Sequence, residues 1–174
     1  LAFDTPYFWA VDEVNAAPDA TVYPSRVWNF SIEAEALALN AAGVTASSAD
    51  VDAGPEKTID GSGLSAGAHG TDLTTMWLTT MDDVDGRWIQ YDLGGVYTLN
   101  AMMVWNHNSQ TESFLGYGIK EASIETSLDG ETWTELKVAE IPQATGMPDY
   151  TGSDVALDGV VAQYVKITAL SNYS

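Results

Sequence analysis

The chain has no cysteine, few basic residues and no long apolar run. The absence of cysteine excludes disulfides, thiolate zinc sites and cysteine nucleophiles. Only 6 lysines and arginines stand against 25 acidic residues, which gives a formal net charge of -19. Such a surface repels phosphate backbones and anionic lipids, so we expect neither nucleic acid nor a membrane surface as a partner. No run approaches the ~20 apolar residues that cross a bilayer, so membrane insertion is not expected.

Sequence motifs for catalysis are also missing. The chain has no G-x-S-x-G elbow, no H-E-x-x-H helix and no P-loop. A glycosidase needs two facing carboxylates, and nothing singles out such a pair among the 25 acidic residues. We therefore expect a protein that is not an enzyme.

Length and composition predict a folded chain. With 174 residues, of which 45% are hydrophobic, it can form one full domain and part of another. Because the sequence opens at Leu1 without methionine or a signal peptide, we expect a processed or excised piece of a longer protein. The acidity suits calcium and other hard cations, whose preferred ligands are carboxylates. Alternatively, it only keeps a secreted or salt-exposed protein soluble.

Two aromatic-rich runs near the N-terminus predict paired strands. Residues 3–14 and 22–32 each have strand composition, and the turn-rich segment NAAPDAT connects them. The pattern TPYFWAVDEVN…VWNFSIEA resembles the last two strands of a fibronectin type III-like domain in bacterial surface proteins. The resemblance covers about residues 1–33 and implies an N-terminal β-hairpin from a partial sandwich.

The rest of the chain has a β rhythm. A linker with a first strand is expected over residues 34–57, and short strands separated by turns such as Gly94-Gly95, Asp129-Gly130 and Asp158-Gly159 follow. The absence of long helical periodicity indicates an all-β, antiparallel sandwich or jelly roll. The predicted strands are 88–93, 99–105, 122–127, 133–138, 154–157 and 162–170.

Four motifs in order carry a second resemblance. They are TIDGSGL before TTMWLT, then RWIQYDL, then SLDGETW, then YVKI. The series resembles a discoidin, or coagulation-factor type C, domain of the galactose-binding-like superfamily, which includes the family 32 carbohydrate-binding modules. It spans about residues 41–174 and implies a discoidin-like β-sandwich over 58–174. Because the family's usual closing strand, with its glutamate, does not follow Ser174, we expect this sandwich to lack its last strand.

The resemblance implies a structural calcium site in the glycine-rich loop 57–75. The candidate ligands there are hard oxygens, namely those of Asp60, Ser62, Asp72 and Thr75. Alternatively, the loop is a hydrogen-bonded turn in which Asp60 caps its own backbone.

A polar and aromatic cluster predicts a sugar site. Apolar sugar faces stack on aromatic rings, and sugar hydroxyls need amide or imidazole partners. The candidate ligand-binding residues are Trp105, Asn106, His107, Asn108, Tyr117 and His69. No arginine stands in this loop, which weakens the case for a terminal galactose. Alternatively, Trp105 is a core residue, the two asparagines cap the strand end, and His69 is only solvated.

We expect a noncatalytic carbohydrate-binding or adhesion module that is stabilised by calcium and located outside the cell or at its surface. Its partner would be a glycan or cell-surface polysaccharide. The alternative is a structural subunit of an extracellular filament or surface layer, in which copies of the chain complete one another's sandwiches by strand exchange.

Overall fold

A computed structural model of the chain describes residues 5–31, 36–83 and 86–174. They divide into two compact units, Leu1–Ala38 and Leu39–Ser174. None of the helices in the described part has the length and apolar character that a membrane crossing requires.

The first unit is a ribbon of four short strands. They are β1 (Pro6–Trp9), β2 (Glu13–Val14), β3 (Val22–Tyr23) and β4 (Trp28–Ser31). Strand β1 pairs antiparallel with β4, and β2 pairs antiparallel with β3. Aromatic side chains stack across β1 and β4, and the ring centroids of Trp9 and Trp28 are 4.7 Å apart. The sequence predicted two strands here, 3–14 and 22–32, whose ends at 3–4 and 32 lie outside the described residues.

The prediction of two unbroken strands was wrong. Between the β1–β4 pair and the β2–β3 pair, hydrogen bonds to side chains replace the hydrogen bonds between backbone groups. Asp12 Oδ1 accepts a hydrogen bond from the Ser25 backbone N–H (2.9 Å), and Ser25 Oγ accepts one from the Val11 N–H (3.1 Å). Pro24 has no N–H to donate. Local side-chain bonds of this kind compete with regular strand pairing.

The second unit is dominated by an antiparallel sheet of five strands. In spatial order these are β10 (Thr134–Glu140), β9 (Ile119–Ser127), β11 (Ser153–Asn172), β8 (Trp88–Val104) and β5 (Gly43–Ala46). A separate hairpin joins β6 (Leu64–Ser65) to β7 (Ala68–His69). Two 3₁₀ helices, Pro55–Thr58 and Leu73–Thr75, and the single turn α1 (Glu112–Leu115) complete the unit. The predicted all-β, antiparallel class is confirmed.

Two predicted turns are bulges inside long strands. Strand β8 continues through Gly94, and β11 continues through Asp158 and Gly159, all three with positive φ. The pairing of β8 with β11 shifts register at both places. Extra residues on one strand increase its local bend and twist without ending it. The prediction of turns at Gly94-Gly95 and Asp158-Gly159 was therefore wrong.

The predicted turn at Asp129-Gly130 is confirmed. Asp129 Oδ1 accepts hydrogen bonds from the backbone N–H groups of Glu131 (2.9 Å) and Thr132 (2.7 Å). These bonds fix the connection between β9 and β10. They also hold the pKa of the Asp129 carboxyl far below its usual value, because they favour its ionised form.

The core consists of two apolar clusters along the sheet. One is centred on Ile124 and Leu157, and the other on Ile89 and Ile141. All four side chains are at most 2% exposed. The second cluster also packs against Val104, the last residue of β8, so the backbone that enters the candidate site starts from a fixed position.

Candidate functional site

The predicted sugar-binding segment begins where β8 ends. Trp105 is half-buried, and its Nε1 donates a hydrogen bond to the Gly67 carbonyl in the β6–β7 turn (3.2 Å). Gly152 lies against the indole, since a Cβ at this glycine would be 3.1 Å from Trp105 Cδ1. Trp105 thus ties the β6–β7 hairpin to the strand end.

Asn106 is buried and fully used by the protein itself. Its Nδ2 donates to the carbonyls of Ile119 (2.8 Å) and Pro142 (3.0 Å). Its Oδ1 accepts from the N–H groups of His107 (3.0 Å) and Ile119 (2.9 Å). A primary amide has two donors and two acceptor positions, so none remains for a ligand.

Asn108 has the same kind of role and is completely buried. Its Nδ2 donates to the carbonyls of His69, Gly70 and Met147 at 2.8 to 3.1 Å. Its Oδ1 accepts from the Gly146 N–H (2.8 Å). The structure therefore uses this side chain to join three loops.

His69 lies inside the protein, in β7. Its side chain is enclosed, the residue being 7% exposed, and its Nδ1 is 2.8 Å from the Gly70 carbonyl. A Cβ at Gly63 would be only 2.7 Å from His69 Nε2. We predicted that His69 lies in an inserted loop near the ligand. In the structure it packs against Gly63, within the loop 57–75 that is proposed for calcium.

His107 is paired with a buried carboxylate. Its Nδ1 is 2.7 Å from Glu112 Oε2, and the other carboxylate oxygen accepts a hydrogen bond from the Gly118 N–H (2.9 Å). Glu112 is fully buried in the single turn α1. Glu112 therefore holds the imidazole through Nδ1, and Nε2 is the ring nitrogen on the other side.

The Nε2 atom of His107 has no hydrogen-bond partner among the described residues, although it is buried. The His107 side chain is 7% exposed. Tyr117 lies over this region, with its ring edge-on to the imidazole at 5.8 Å, and is half exposed. A buried nitrogen without a partner is costly unless something else supplies the hydrogen bond.

A cavity of about 200 Å³ adjoins His107. Its polar lining includes Asp50, Asp52 and Thr74, and its apolar lining includes Ala53 and Met76. Lysine and arginine are absent from that lining, as far as the described residues go. His107 is one of the residues that line the cavity, and Glu112 is not.

The four predicted calcium ligands lie in two turns. Asp60 Oδ1 accepts from the Ser62 N–H (2.7 Å), and Asp72 Oδ1 accepts from the N–H and hydroxyl of Thr74 (3.0 and 2.8 Å). Hydrogen bonds to the Ser62 side chain and backbone lower the pKa of Asp60, and bonds from the backbone and side chain of Thr74 lower the pKa of Asp72. Both side chains are therefore anionic oxygen donors at neutral pH.

Thr75 completes this loop from the second turn. Its hydroxyl donates to the Asp72 carbonyl (2.6 Å), and a Cβ at Gly63 would be 2.6 Å from Thr75 Oγ1. Only a glycine permits this close packing. No cluster of three or more His, Cys, Asp or Glu side chains suited to a metal occurs in the described part of the chain. The candidate donors of the loop are carboxylate, hydroxyl and carbonyl oxygens, the types that calcium prefers.

Sequence reasoning missed Glu112, Asp50 and Asp52. The spacing of five residues between His107 and Glu112 matches no regular secondary structure. The hydrogen bonds to His107 and Gly118 show that the carboxylate lies inside the protein. The cue available in the sequence was an acidic residue close after the histidine and before a Gly-Tyr-Gly run.

Comparison with known proteins gives one family and a set of similar structures. The family described as F5/8 type C domain matches residues 43–174. A comparison with curated protein sequences gives no match.

Three solved structures from Clostridium perfringens illustrate the structural similarity. A family 89 glycoside hydrolase in complex with its substrate GlcNAc-alpha-1,4-galactose has a TM-score of 0.51 and 23% identity, over 75% of this chain and 12% of the hydrolase. The module CBM32-3 from a family 31 glycoside hydrolase has a TM-score of 0.53 and 22% identity, over 76% of this chain and 81% of the module. The family 32 carbohydrate-binding module of NanJ, in complex with galactose, has a TM-score of 0.55 and 16% identity, over 76% and 84%. These similarities confirm the predicted β-sandwich.

Proposed function

Because the chain belongs to the F5/8 type C domain family over residues 43–174, we propose that it acts as a noncatalytic carbohydrate-binding module. The observation that supports this most is the contact between the half-exposed Tyr117 ring and His107, which lines the cavity. Glu112 holds the imidazole through Nδ1, so the ring is already oriented beside the cavity.

Tyr117 supplies the apolar contact that a sugar ring needs. Its ring is half exposed and makes an edge contact with His107 at a centroid distance of 5.8 Å, so aromatic surface is accessible next to the imidazole. Rings of this kind, with an apolar body and a polar tip, are frequent in recognition surfaces. Of the predicted ligand residues, we therefore assign direct contacts to His107 and Tyr117, while Asn106, Asn108, Trp105 and His69 hold the loops around them.

The test is glycan binding by matched variants. The whole chain is screened against immobilised neutral, basic and acidic glycans, and the best ligand is then titrated by calorimetry. We expect Tyr117→Ala and His107→Ala to weaken binding at least about tenfold, which corresponds to about 1.4 kcal/mol. Tyr97→Ala is the control, because Tyr97 is also partly exposed but lies next to the bulge of β8, far from the strand end. Equal affinity of the Tyr117 and Tyr97 variants would contradict the proposed site.

We also propose that calcium stabilises the loop 57–75. Asp60, the Thr75 hydroxyl and carbonyl oxygens around Ser62 would hold the ion, and the unused oxygen of Asp72 would face it from the second turn. A bound calcium ion would cross-link the loop and supply no reactive chemistry. The support is the donor set itself, with the lowered pKa values of Asp60 and Asp72.

The proposed setting is outside the cell or at its surface. The support is compositional, namely a net charge of -19 and no cysteine. Secretion of a tagged full-length parent protein by its native host, followed by fractionation, tests this proposal. Recovery of the protein only inside the cell would contradict it.

Assembly through strand exchange is the second candidate. The sheet of the second unit has two edge strands, β5 and β10, each with a single neighbour among the described strands. Edge strands can pair with another copy of the chain. Light scattering across a concentration series tests this: a mass that grows with concentration supports assembly, and a constant monomer mass contradicts it.

A further inference from the structure

Tyr117 stands between two glycines whose backbones are held by other parts of the second unit. Both glycines are buried, whereas Tyr117 is half exposed. The N–H of Gly118 donates a hydrogen bond to Glu112 Oε1 (2.9 Å). The carbonyl of Gly116 accepts one from the Tyr173 N–H (3.0 Å). The exposed ring of the proposed site is therefore fixed through its backbone on both sides.

The packing around the two glycines leaves no room for a side chain. A Cβ at Gly116 would be 2.5 Å from the carbonyl carbon of Tyr173 and 2.6 Å from the backbone nitrogen of Ser174. A Cβ at Gly118 would be 2.9 Å from Asn106 Oδ1. The atoms that face Gly116 belong to the backbone and cannot rotate away as the end of a flexible side chain can. Any side chain at Gly116 therefore pushes the loop away from residues 173 and 174.

Tyr173 is itself attached to the core of the unit. It follows Asn172, the last residue of β11, which pairs with Ile119 at the start of β9. The Tyr173 hydroxyl donates to the carbonyl of Ile141 (2.8 Å), a core residue that is 1% exposed. Lys120 Nζ is 5.9 Å from the centroid of the Tyr173 ring. The group that holds Gly116 is thus connected to the sheet and its core rather than to another surface loop.

We infer that Gly116 and Tyr173 are positioning residues of the proposed sugar site, which act through Tyr117. The inference rests on the proposed carbohydrate binding and adds two residues that do not touch the glycan. The Tyr117 ring makes an edge contact with His107, so a displacement of Gly116 moves the ring relative to the imidazole. A ring that is ordered before binding loses less conformational entropy when the ligand arrives, so more of the contact energy remains as affinity.

The matched variants are Gly116→Ala and Gly159→Ala. Both glycines have positive φ (64° and 74°), so alanine strains the backbone at both positions. At Gly159, in the bulge of β11 away from the end of β8, a Cβ would be 4.0 Å from Asn100 Oδ1 and would clash with nothing. The whole chain is titrated with the best glycan from the screen, under conditions where NMR spectra show each variant folded. We expect Gly116→Ala to weaken binding at least about fivefold and Gly159→Ala less than about twofold.

A second measurement follows the Tyr117 ring without a ligand. The nuclear Overhauser effect between the ring protons of Tyr117 and His107 should weaken in Gly116→Ala and persist in Gly159→Ala. A role in stability alone would leave this signal unchanged in the folded variant. An affinity loss with the ring contact intact would overturn the inference, because the loss would then not pass through Tyr117.

Tyr173→Ala decides the question if Gly116→Ala does not fold. It removes the hydrogen bond to the Ile141 carbonyl and the ring beside Lys120, and it leaves the backbone N–H that bonds Gly116. We expect an affinity loss of at least about threefold, with the same weakening of the ring signal. Tyr97→Ala, at another partly exposed tyrosine, is the control and should show neither change.

The two proposals fail in different ways. A folded Gly116→Ala that binds glycan as tightly as Gly159→Ala overturns the positioning role and leaves carbohydrate binding standing. The same holds for Tyr173→Ala and Tyr97→Ala where that pair is used. Absence of glycan binding by the unchanged chain removes the proposed function, and this inference with it.

Discussion

Replacing Glu112 tests the buried pair on which the proposed site depends. Alanine at this position leaves the Gly118 N–H and His107 Nδ1 without the acceptors that now lie at 2.9 and 2.7 Å. Each buried donor left unsatisfied costs about 1–3 kcal/mol, so the loss of both acceptors costs about 2–6 kcal/mol. Because Glu112 is fully buried, water cannot reach these donors without local opening. We expect Glu112→Ala to lower the free energy of unfolding by about 2–6 kcal/mol.

Glutamine separates the hydrogen bonds from the charge. Its carbonyl oxygen can still accept from Gly118, and its amide can donate to His107 Nδ1. We expect Glu112→Gln to cost only about 1 kcal/mol. An amide N–H can donate only to an unprotonated Nδ1, so glutamine changes how the ring is held, and glycan affinity should fall more than stability does.

Urea denaturation followed by the NMR signals of the second unit is the suitable assay. Tryptophan fluorescence would mix in Trp9 and Trp28 of the first unit. Glu131→Ala, at an exposed position, is the control and should change the unfolding free energy by no more than about 0.5 kcal/mol. A loss below about 1 kcal/mol for Glu112→Ala would refute the reasoning, since two buried donors would then lose their acceptors at less than the cost of one.

Three further perturbations probe the fold and the calcium loop. Ile124→Ala, at a side chain with no exposure, should cost about 2–5 kcal/mol in urea unfolding, and a cost typical of surface positions would contradict its place in the core. Asp129 has a lowered pKa, so its contribution to stability is present above the unfolded value of about 3.9 and is lost as pH falls towards the lower folded value. Asp129→Asn should therefore flatten the stability profile below about pH 4, and an unchanged acid slope would argue against these hydrogen bonds. Calcium at about 100 times its dissociation constant should raise the unfolding free energy by about 2.7 kcal/mol. Asp60→Asn should reduce that gain. An equal gain in the variant and the unchanged protein would mean that the ion binds elsewhere.

Local sequence signals predicted strands well and their ends less well. The Asp129-Gly130 signal is a hairpin turn, whereas the similar Asp158-Gly159 signal is a bulge within β11. Both dipeptides supply positive φ, which a turn and a bulge need equally. The difference comes from pairing with β8, a partner more than fifty residues away in sequence. Such a partner is not encoded in the dipeptide.

The site shows the same limit for polar residues. Asn106, His107 and Asn108 are adjacent in sequence and look equally suited to a ligand. The structure uses both asparagines for internal hydrogen bonds, whereas the histidine between them keeps one buried ring nitrogen without a partner among the described residues. Which amide is satisfied depends on carbonyls from the segment 142–147, whose approach the local sequence does not specify.

In the proposed site, the two asparagines order the backbone on both sides of His107. Asn106 fixes one side by bonding the His107 N–H and the start of β9, and Asn108 fixes the other side by joining the loops at 69–70 and 146–147. Glu112 then holds the ring itself. A group that is already ordered loses little further conformational entropy when a ligand binds, so more of the contact energy remains as affinity. On the proposed function, these three residues would therefore contribute to binding without touching the ligand, because they keep the imidazole in place.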